Sequence, residues 1–382
     1  MFMDTDLQKK VESLKKRKDC WTPQPVQFKS ILTNHKDLLA GRAPGSVKVR
    51  QVAVGAVHVI AIAEGDNLVM AWGKNSSGQL GIGSVADQVF RPTKIKSFGQ
   101  DRDSVMQAAC GENHTIFLMN SGCVSTCGSN EFGQLGLGVE SDDAESRANV
   151  QGGQIMPTPV MIEKSILGSV VQVAAGRFHS MAIRKQNEGD VLKDDDQEEA
   201  GAATNQLDSK MGGGQPHAHR DDDMAHDKVV VKDIRHELYG WGRGYHGQLG
   251  LKELKVVQWY PKKVKLKKDP RFKQEDQPTR FAKIACGEKH SLLLAVNGCI
   301  WWAGEKASVG IEDPNAIRRN KFEAKDESDS FQYTFEPYFD PNAYTEFSQM
   351  RFKFINSNFN SKLSWAINAK NEACVFGEDA AF

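Results

Sequence analysis

Histidine is the residue type in this sequence best suited to acid–base or metal chemistry, and several of its histidines recur in one context. Each of these follows a glycine by three residues, in the pairs Gly55 and His58, Gly111 and His114, Gly176 and His179, and Gly287 and His290. A fifth, weaker copy has Asn360 and Leu363 at the two positions. A catalytic histidine could not be exchanged for leucine, whereas a packing residue could. The four histidines are therefore predicted to be structural, each partly buried with one hydrogen-bonded ring nitrogen.

A second group of histidines, His217, His219 and His226, lies among aspartates and invites a metal-site hypothesis. That segment has no cysteine ligands and no rigid element to fix the geometry, so chance clustering is the favoured interpretation. The sequence also lacks the motifs Gly-x-Ser-x-Gly, His-Glu-x-x-His and Gly-x-x-x-x-Gly-Lys, and it has no paired metal-ligand cysteines. We therefore predict no catalytic, cofactor-binding or metal-binding residues.

The elements that would position the recurring histidines are repeated with them. After each Gly–His pair come two short apolar runs, then a Trp-Gly pair (Trp72 and Trp241, with cysteine or alanine in other copies) and a Gly-Gln-Leu-Gly turn. A proline and an apolar residue precede each copy, as at Pro92. Turns such as Asn297-Gly298 separate the apolar runs and predict hairpins. Each unit thus predicts about four short antiparallel strands, and a series of such units predicts a β-propeller.

These motifs resemble those of the regulator of chromosome condensation repeat family. The family pattern of Gly-x-x-His-(Ser/Thr), a Trp-Gly strand and Gly-Gln-Leu-Gly-x-Gly is matched almost completely by residues 72–83 and by residues 111–115 with 133–138. The resemblance implies an all-β propeller of seven blades. Five copies are recognisable here within residues 21–382, at about 22–83, 91–138, 156–251, 260–311 and 337–382. The chain is predicted either to close a reduced ring or to form an incomplete arc whose free edge pairs with a second chain.

The resemblance also implies an activity. The family archetype catalyses guanine-nucleotide exchange on the small GTPase Ran, with a wedge-like hairpin of the type Arg-Asp-Asn-Asn-Gly. No such stretch is present in the corresponding copies, and residues 140–144 and the insert of the third copy are unlike it. The favoured function is therefore a non-catalytic protein–protein interaction module, since a propeller alone does not define an activity. The alternatives are an exchange factor for a Ran-like GTPase and a chromatin-associated binder.

A basic segment before the repeats is the first candidate partner-binding region. Residues 4–18, within a tail of residues 1–20, have the capping and spacing of an amphipathic helix. The helix ends in four basic residues, Lys15, Lys16, Arg17 and Lys18. That end is either a nuclear import signal or a phosphate-contacting arm, or it is a solvated helix terminus whose cations oppose the helix dipole.

An aromatic segment in the long connection of residues 312–350 is the second candidate region. Its candidate partner-binding residues are Tyr333, Phe335, Tyr338 and Phe339. Clustered aromatics beside charged residues are typical of interface anchors. The alternative is that these rings cover the open side of the last blade.

Composition and charge limit the environment of the protein. Basic and acidic side chains balance at 49 each, so no overall field favours nucleic acid or a membrane, and binding of DNA or chromatin would rest on the basic tail. Residues 186–236, inserted in the third copy, are acidic and glycine-rich and are predicted to be disordered. The first residues of the sequence do not predict a secretory leader, and no apolar stretch is long enough to predict a membrane span. We expect an intracellular protein, cytoplasmic or nuclear, with reduced cysteines and no membrane insertion.

Overall fold

The computed structural model of the protein describes residues 48–64, 67–99, 103–138, 154–186, 235–252, 257–274, 276–309, 331–338, 350–357 and 362–377. The predicted basic helix, most of the acidic insert and Phe339 lie outside these ranges. Within them the chain is all-β, apart from one helical turn, α1 (Lys164–Leu167), and a 3-10 turn over Ala307–Val309. No helix in the described ranges has the length and apolar character needed to cross a bilayer.

The strands form five antiparallel sheets that follow one another along the chain. The first sheet contains β1 (Val49–Val54), β2 (His58–Ala63), β3 (Val69–Asn75) and β4 (Ala86–Lys94). The second contains β5 (Val105–Cys110), β6 (His114–Met119), β7 (Val124–Ser129) and β8 (Ile155–Met161). The third contains β9 (Val170–Ala175), β10 (His179–Lys185), β11 (His236–Arg243) and β12 (Val257–Val264).

The fourth and fifth sheets differ in strand number. The fourth contains β13 (Phe281–Cys286), β14 (His290–Ala295), β15 (Ile300–Glu305) and β16 (Phe331–Pro337). The fifth contains only β17 (Phe352–Ser357), β18 (Leu363–Asn368) and β19 (Ala373–Gly377) among the described residues. In every sheet each strand pairs with its neighbours in sequence, which is the meander of a propeller blade. The predicted all-β propeller is confirmed.

The sheets are offset by one strand from the repeats as they appear along the sequence. The proline-containing segments were expected to open each unit, but they form the outermost strand of the preceding sheet. Pro92 lies in β4, Pro157 and Pro159 lie in β8, and Pro261 lies in β12. Proline has no backbone N–H to donate and is therefore tolerated at a sheet edge. Sequence similarity alone shows where a unit recurs but not which strand begins a sheet.

The hairpin between β14 and β15 has a different turn from the predicted one. An Asn-Gly pair predicts a two-residue turn with positive φ at both positions, but only Gly298 has it, at 86°. The Gly298 N–H donates to the Ala295 carbonyl over 2.9 Å, and the Ala295 N–H donates to the Cys299 carbonyl over 2.8 Å. Asn297 instead accepts a side-chain hydrogen bond from the Cys299 N–H over 3.1 Å. The result is a longer hairpin loop with its glycine in the left-handed region.

Four apolar clusters hold the sheets face to face in chain order. Each cluster combines buried side chains of two successive sheets, from the pair of sheets one and two to the pair of sheets four and five. The innermost strands β1, β5, β9, β13 and β17 contact one another in the same order. The middle sheets are therefore covered on both faces, which explains why every residue of β6 is buried.

Glutamines on the innermost strands add polar links between the same sheets. Gln51 binds Ala108 with both ends of its amide, accepting from the N–H and donating to the carbonyl, each over 3.0 Å. Gln107 binds Val173 in the same way, at 3.0 and 3.2 Å. A side-chain amide that matches one peptide unit of the next sheet sets the register between neighbouring blades.

Replacing Gln107 with leucine should destabilise the protein by about 2 kcal/mol, because the Val173 N–H and carbonyl lose their partners at a half-buried site. The free energy of unfolding from urea denaturation measures the effect. The matched control is Gln88→Leu on exposed β4, which should change the stability by less than about 0.5 kcal/mol. Equal effects of the two substitutions would show that the amide link does not contribute.

Candidate partner-binding site

Each of the four recurring histidines links its own sheet to the next one. In each case the imidazole Nε2 atom lies within hydrogen-bond distance of a hydroxyl oxygen. The distances are 2.9 Å from His58 to Thr115, 3.1 Å from His114 to Ser180, 2.9 Å from His179 to Ser291 and 2.6 Å from His290 to Ser364. All four histidines are fully rather than partly buried, with 1% exposure or less. Each hydroxyl belongs to the residue directly after the histidine position of the next sheet. We call this series of contacts the histidine relay.

The direction of two relay bonds follows from their hydroxyl groups. Thr115 Oγ1 lies 2.7 Å from the carbonyl oxygen of Gln79, and Ser180 Oγ lies 2.7 Å from the carbonyl oxygen of Gln134. A carbonyl oxygen only accepts, so each hydroxyl donates to it. The hydroxyl therefore accepts from the Nε2–H of the histidine in the preceding sheet. Both of these bonds therefore begin at an imidazole and point forward along the chain.

Burial keeps the relay histidines neutral. It lowers the pKa to about 4 in His58 and His290 and to about 3 in His114 and His179. Their Nδ1 atoms are buried and have no hydrogen-bond partner. A buried imidazole with so low a pKa and no access to solvent is poorly suited to proton transfer at neutral pH, which supports the predicted structural role.

The relay has a first and a last member within the described sheets. Val59 follows His58 in the first sheet and offers no hydroxyl to a preceding histidine. In the last sheet Leu363 pairs with Gly377, as His290 pairs with Gly304, so Leu363 occupies the histidine position. An aliphatic side chain therefore stands at each end of the relay.

The glycine of each Gly–His pair is required by close packing. A Cβ atom on Gly176 would lie 2.0 Å from Cε1 of His179 and 2.7 Å from the carbonyl oxygen of Gly287 in the next sheet. The corresponding distances to the histidine ring are 2.5 Å at Gly55 and 2.1 Å at Gly111 and Gly287. The imidazole lies directly against the glycine, so no side chain fits there.

The two tryptophans of the Trp-Gly pairs have different surroundings. Trp241 is fully buried between the second and third sheets, and its Nε1–H donates to the carbonyl oxygen of Gln134 over 2.9 Å. Trp72 pairs with Val59 within the first sheet, is half-buried, and lies outside the apolar cluster between the first and second sheets. Trp241 therefore packs between two blades, whereas Trp72 lies outside the core that joins its sheet to the next.

In three of the four Gly–His pairs, the residue directly after the glycine is charged. These three charged residues meet at one end of the sheets. Arg177 of the third sheet forms an ion pair through Nε with Glu112 of the second sheet. Its Nη1 lies 2.6 Å from Oε1 of Glu288 in the fourth sheet. One guanidinium thus joins equivalent loops of three successive sheets.

An aromatic group centred on Arg243, the last residue of β11, lies beside this ionic bridge. The guanidinium carbon of Arg243 is 5.1 Å from the ring centroid of Phe132, 5.6 Å from that of Phe178 and 5.1 Å from that of Tyr245. The rings of Phe132 and Phe178 are 5.2 Å apart, and Arg177 also lies over Phe178, at 5.1 Å. We call Phe132, Phe178, Arg243 and Tyr245, all of which are half-buried, the Arg243 cluster.

The Arg243 cluster holds a cation that forms no ion pair with any residue the structure describes. The Nε atom of Arg243 is buried and has no hydrogen-bond partner. Unlike Arg177, Arg243 forms no ion pair with a carboxylate among the described residues. The Nδ1 atom of His246, three residues further along the same loop, is also buried without a partner. Ring faces therefore position this guanidinium, and no acceptor in the described part of the chain compensates its charge.

The structure divides the predicted aromatic segment between two locations. Phe331 packs its ring 5.0 Å from that of His246 and 6.4 Å from that of Tyr333, so Tyr333 lies close to the loop of the Arg243 cluster. Phe335 is completely buried against Gly250, in the core between the third and fourth sheets. The predicted partner contact of Phe335 is thus corrected, because its side chain has no exposed surface.

Tyr338 fits the alternative interpretation of the aromatic segment. Its ring lies 5.4 Å from that of Phe376, and its hydroxyl donates to the carbonyl oxygen of Val309 over 3.2 Å. The side chain packs against the cluster between the fourth and fifth sheets. Tyr338 therefore covers part of the last sheet. The remaining predicted contacts, Phe339 and the basic residues 15–18, lie outside the described residues.

Sequence reasoning missed the Arg243 cluster. Its members occupy the variable positions of the repeat motifs: Phe178 inside Gly-Arg-Phe-His, Phe132 before Gly-Gln-Leu-Gly, and Arg243 after Trp-Gly. The available signal was that large aromatic and basic residues fill variable positions of consecutive copies. It could be interpreted only once the copies were stacked.

Five stacked meander sheets with this repeated loop arrangement define a β-propeller built from repeats of one kind. A model of the Regulator of chromosome condensation (RCC1) repeat matches residues 66–118, 121–183 and 235–294. A second model of the same repeat matches residues 49–79 and 107–134. The chain belongs to the regulator of chromosome condensation repeat family.

Several known proteins are similar to this chain. The Ultraviolet-B receptor UVR8 of Arabidopsis thaliana is 26% identical over 266 residues, which are 67% of this chain and 53% of that protein. Human Protein RCC2 is 31% identical over 285 residues, which are 69% of this chain and 51% of RCC2. The crystal structure of human WBSCR16 superposes with a TM-score of 0.55 at 20% identity, covering 88% of this chain and 63% of that one. The chain thus spans about half the length of these curated relatives.

Proposed function

We propose that the chain is a non-catalytic protein–protein interaction module and that its partner binds the loop face that carries the Arg243 cluster. The observation that supports this proposal is the cluster itself. Three half-buried aromatic rings from two sheets surround one arginine at a face where loops of three sheets meet. Aromatic side chains and arginine are the residues most enriched at the energetic centres of protein interfaces.

The buried relay supports the non-catalytic part of the proposal. The recurring histidines are the most abundant candidates for acid–base chemistry in the repeats, and each is used as a neutral hydrogen-bond donor or packing residue inside the array. One of the relatives, UVR8, is named as an ultraviolet-B receptor, and RCC2 is not. Membership of the repeat family therefore does not by itself assign an activity.

Site-specific photo-crosslinking in cells tests the proposed binding face. A benzophenone amino acid in place of Phe178 should give discrete protein adducts. The same replacement at Phe90, which is 81% exposed on β4, is the matched control and should not give them. Absence of adducts at Phe178, or the same adducts at both positions, would contradict the proposal.

A nucleotide-release assay tests the exchange-factor alternative. The purified chain is mixed with a panel of small GTPases, Ran included, each loaded with a fluorescent guanine nucleotide. We expect release at the intrinsic rate of each GTPase. A catalytic acceleration with any of them would overturn the non-catalytic assignment and would identify the partner class at the same time.

A further inference from the structure

The charge of Arg243 distinguishes it from the other cations on the same face. Arg177 binds two glutamates, Glu112 and Glu288. Lys289 Nζ lies 3.4 Å from Oε1 of Glu305. The guanidinium of Arg243 lies over three ring faces and forms no ion pair among the described residues.

An aromatic ring stabilises the positive charge of an arginine, whereas an anion also accepts hydrogen bonds from its N–H groups. A ring attracts the positive charge through its π face but accepts little from the N–H groups at the guanidinium edge. The Nε–H of Arg243 is covered by protein, while the residue as a whole is half-exposed. An acceptor from outside therefore reaches the guanidinium end-on, at its two Nη groups.

The chemistry of the acceptor is limited by this geometry. Two parallel N–H donors match the two oxygens of a carboxylate, and such charge-assisted bonds are about twice as strong as neutral ones. The aromatic walls exclude water on the sides of the guanidinium and so strengthen the interaction. A neutral amide would match the shape but would not compensate the charge.

The surrounding glutamates favour a singly charged ligand over a phosphate. His246, three residues after Arg243, is close enough to Glu288 and Glu305 for both carboxylates to influence its pKa. Burial, Lys289 and Arg243 together lower that pKa, so the imidazole is neutral and adds no positive charge. A phosphate near pH 7 carries close to two negative charges and would meet stronger repulsion from these glutamates.

We propose that Arg243 is the anchor for a carboxylate side chain of an acidic segment in the partner protein, held between Phe132, Phe178 and Tyr245. The inference rests on the proposed function and adds the chemistry of the partner. In the free protein the rings hold the guanidinium in place. In the complex the carboxylate supplies the missing acceptor.

Peptide binding tests the proposal directly. The probe is a fluorescent, end-blocked peptide of alternating glutamate and glycine, and its binding is followed by fluorescence anisotropy at low salt. The matched peptides contain glutamine or phosphoserine in place of glutamate. We expect binding of the glutamate peptide, loss of binding with glutamine, and weaker binding with phosphoserine. Tighter binding of the phosphoserine peptide would overturn the carboxylate assignment.

Two arginine variants separate the anchor from general charge. Arg243→Lys keeps the charge but loses the planar fork, and it should weaken binding of the glutamate peptide about tenfold or more. Arg91→Gln is the control, because it removes one positive charge from exposed β4 and leaves the ionic bridge of Arg177 intact, and it should not change peptide binding. The melting temperature of each variant shows whether it is folded.

Each remaining outcome decides the proposal. Unchanged affinity in a folded Arg243→Lys variant, or equal losses in both variants, would overturn it. So would failure of the folded, unchanged protein to bind any of the peptides. In that last case adducts at position 178 in the crosslinking experiment would still support the interaction module, so the two proposals fail separately.

Discussion

The free energy of unfolding is expected to fall by about 5 kcal/mol between pH 7.5 and pH 5.5, because four relay histidines stay neutral in the folded protein and take up protons on unfolding. Their pKa values are about 4 or about 3 when folded, against an ordinary value of about 6.5 in an unfolded chain. Below the unfolded value the unfolded state binds more protons, so stability decreases as the pH falls. The loss continues until the pH approaches the folded pKa values.

Urea denaturation at a series of pH values measures this dependence, with the fluorescence of buried Trp241 among the reporters. His114→Gln is the informative variant, since a glutamine amide can still donate to Ser180 but does not titrate. This variant should take up one proton fewer on unfolding. The fall in the free energy of unfolding between pH 7.5 and pH 5.5 should therefore be smaller by about 1.4 kcal/mol. His290→Gln provides a second variant with the same expectation. If neither variant changed the pH dependence, the protons would be taken up elsewhere.

Gly176→Ala should destabilise the protein by more than about 3 kcal/mol, which is at the upper end for overpacking. The added methyl would lie 2.0 Å from the His179 ring and 2.7 Å from the Gly287 carbonyl oxygen. The ring cannot retreat without breaking its 2.9 Å contact with Ser291, and the carbonyl belongs to the neighbouring sheet. The free energy of unfolding measures the effect.

Gly83→Ala is the control for backbone effects. Gly83 has a positive φ of 85°, but the nearest atom to an added Cβ is 3.6 Å away, so only backbone strain of about 1–2 kcal/mol is expected. The double variant Gly176→Ala with His179→Leu tests the mechanism. It combines a side chain at the glycine position with leucine at the histidine position, as in the fifth unit with Asn360 and Leu363, and it should recover part of the loss. A double variant less stable than the sum of its parts would contradict ring contact as the cause.

The propeller was predictable because its signals are local and repeated. Glycine, histidine and Trp-Gly recur with spacings that only a series of similar hairpins explains, and Leu363 already indicated that the histidine position is structural. The strand offset was not predictable, since similarity between copies is the same whichever strand opens the unit. The turn at Asn297 differs because the hydrogen bonds of the neighbouring strands decide the length of the loop.

The candidate site was less predictable, because its residues come together only through stacking. Phe132, Phe178 and Arg243 are separated along the chain by the strands of two sheets, and no motif connects them. The partner contact of Tyr333 stays a prediction, and composition cannot show that Phe335, two residues further along, points into the core. Tyr333 and Phe335 are two residues apart, and regular alternation would place them on the same face of β16. The pairing of β16 with β15 shifts register across this stretch, so their different burial does not follow from the sequence pattern.

The histidine relay gives the array of sheets a polarity, which bears on how repeats can be gained or lost. An internal unit carries both an imidazole and a hydroxyl, so a duplicated internal unit would find a donor before it and an acceptor after it. The first described unit has Val59 at the hydroxyl position, and the last has Leu363 at the histidine position. Each of these two units lacks one of the two groups and so ends the series. Insertion in the middle of the array therefore preserves every link. Moving a terminal unit inward would interrupt the series and leave a buried hydrogen-bonding group without its partner.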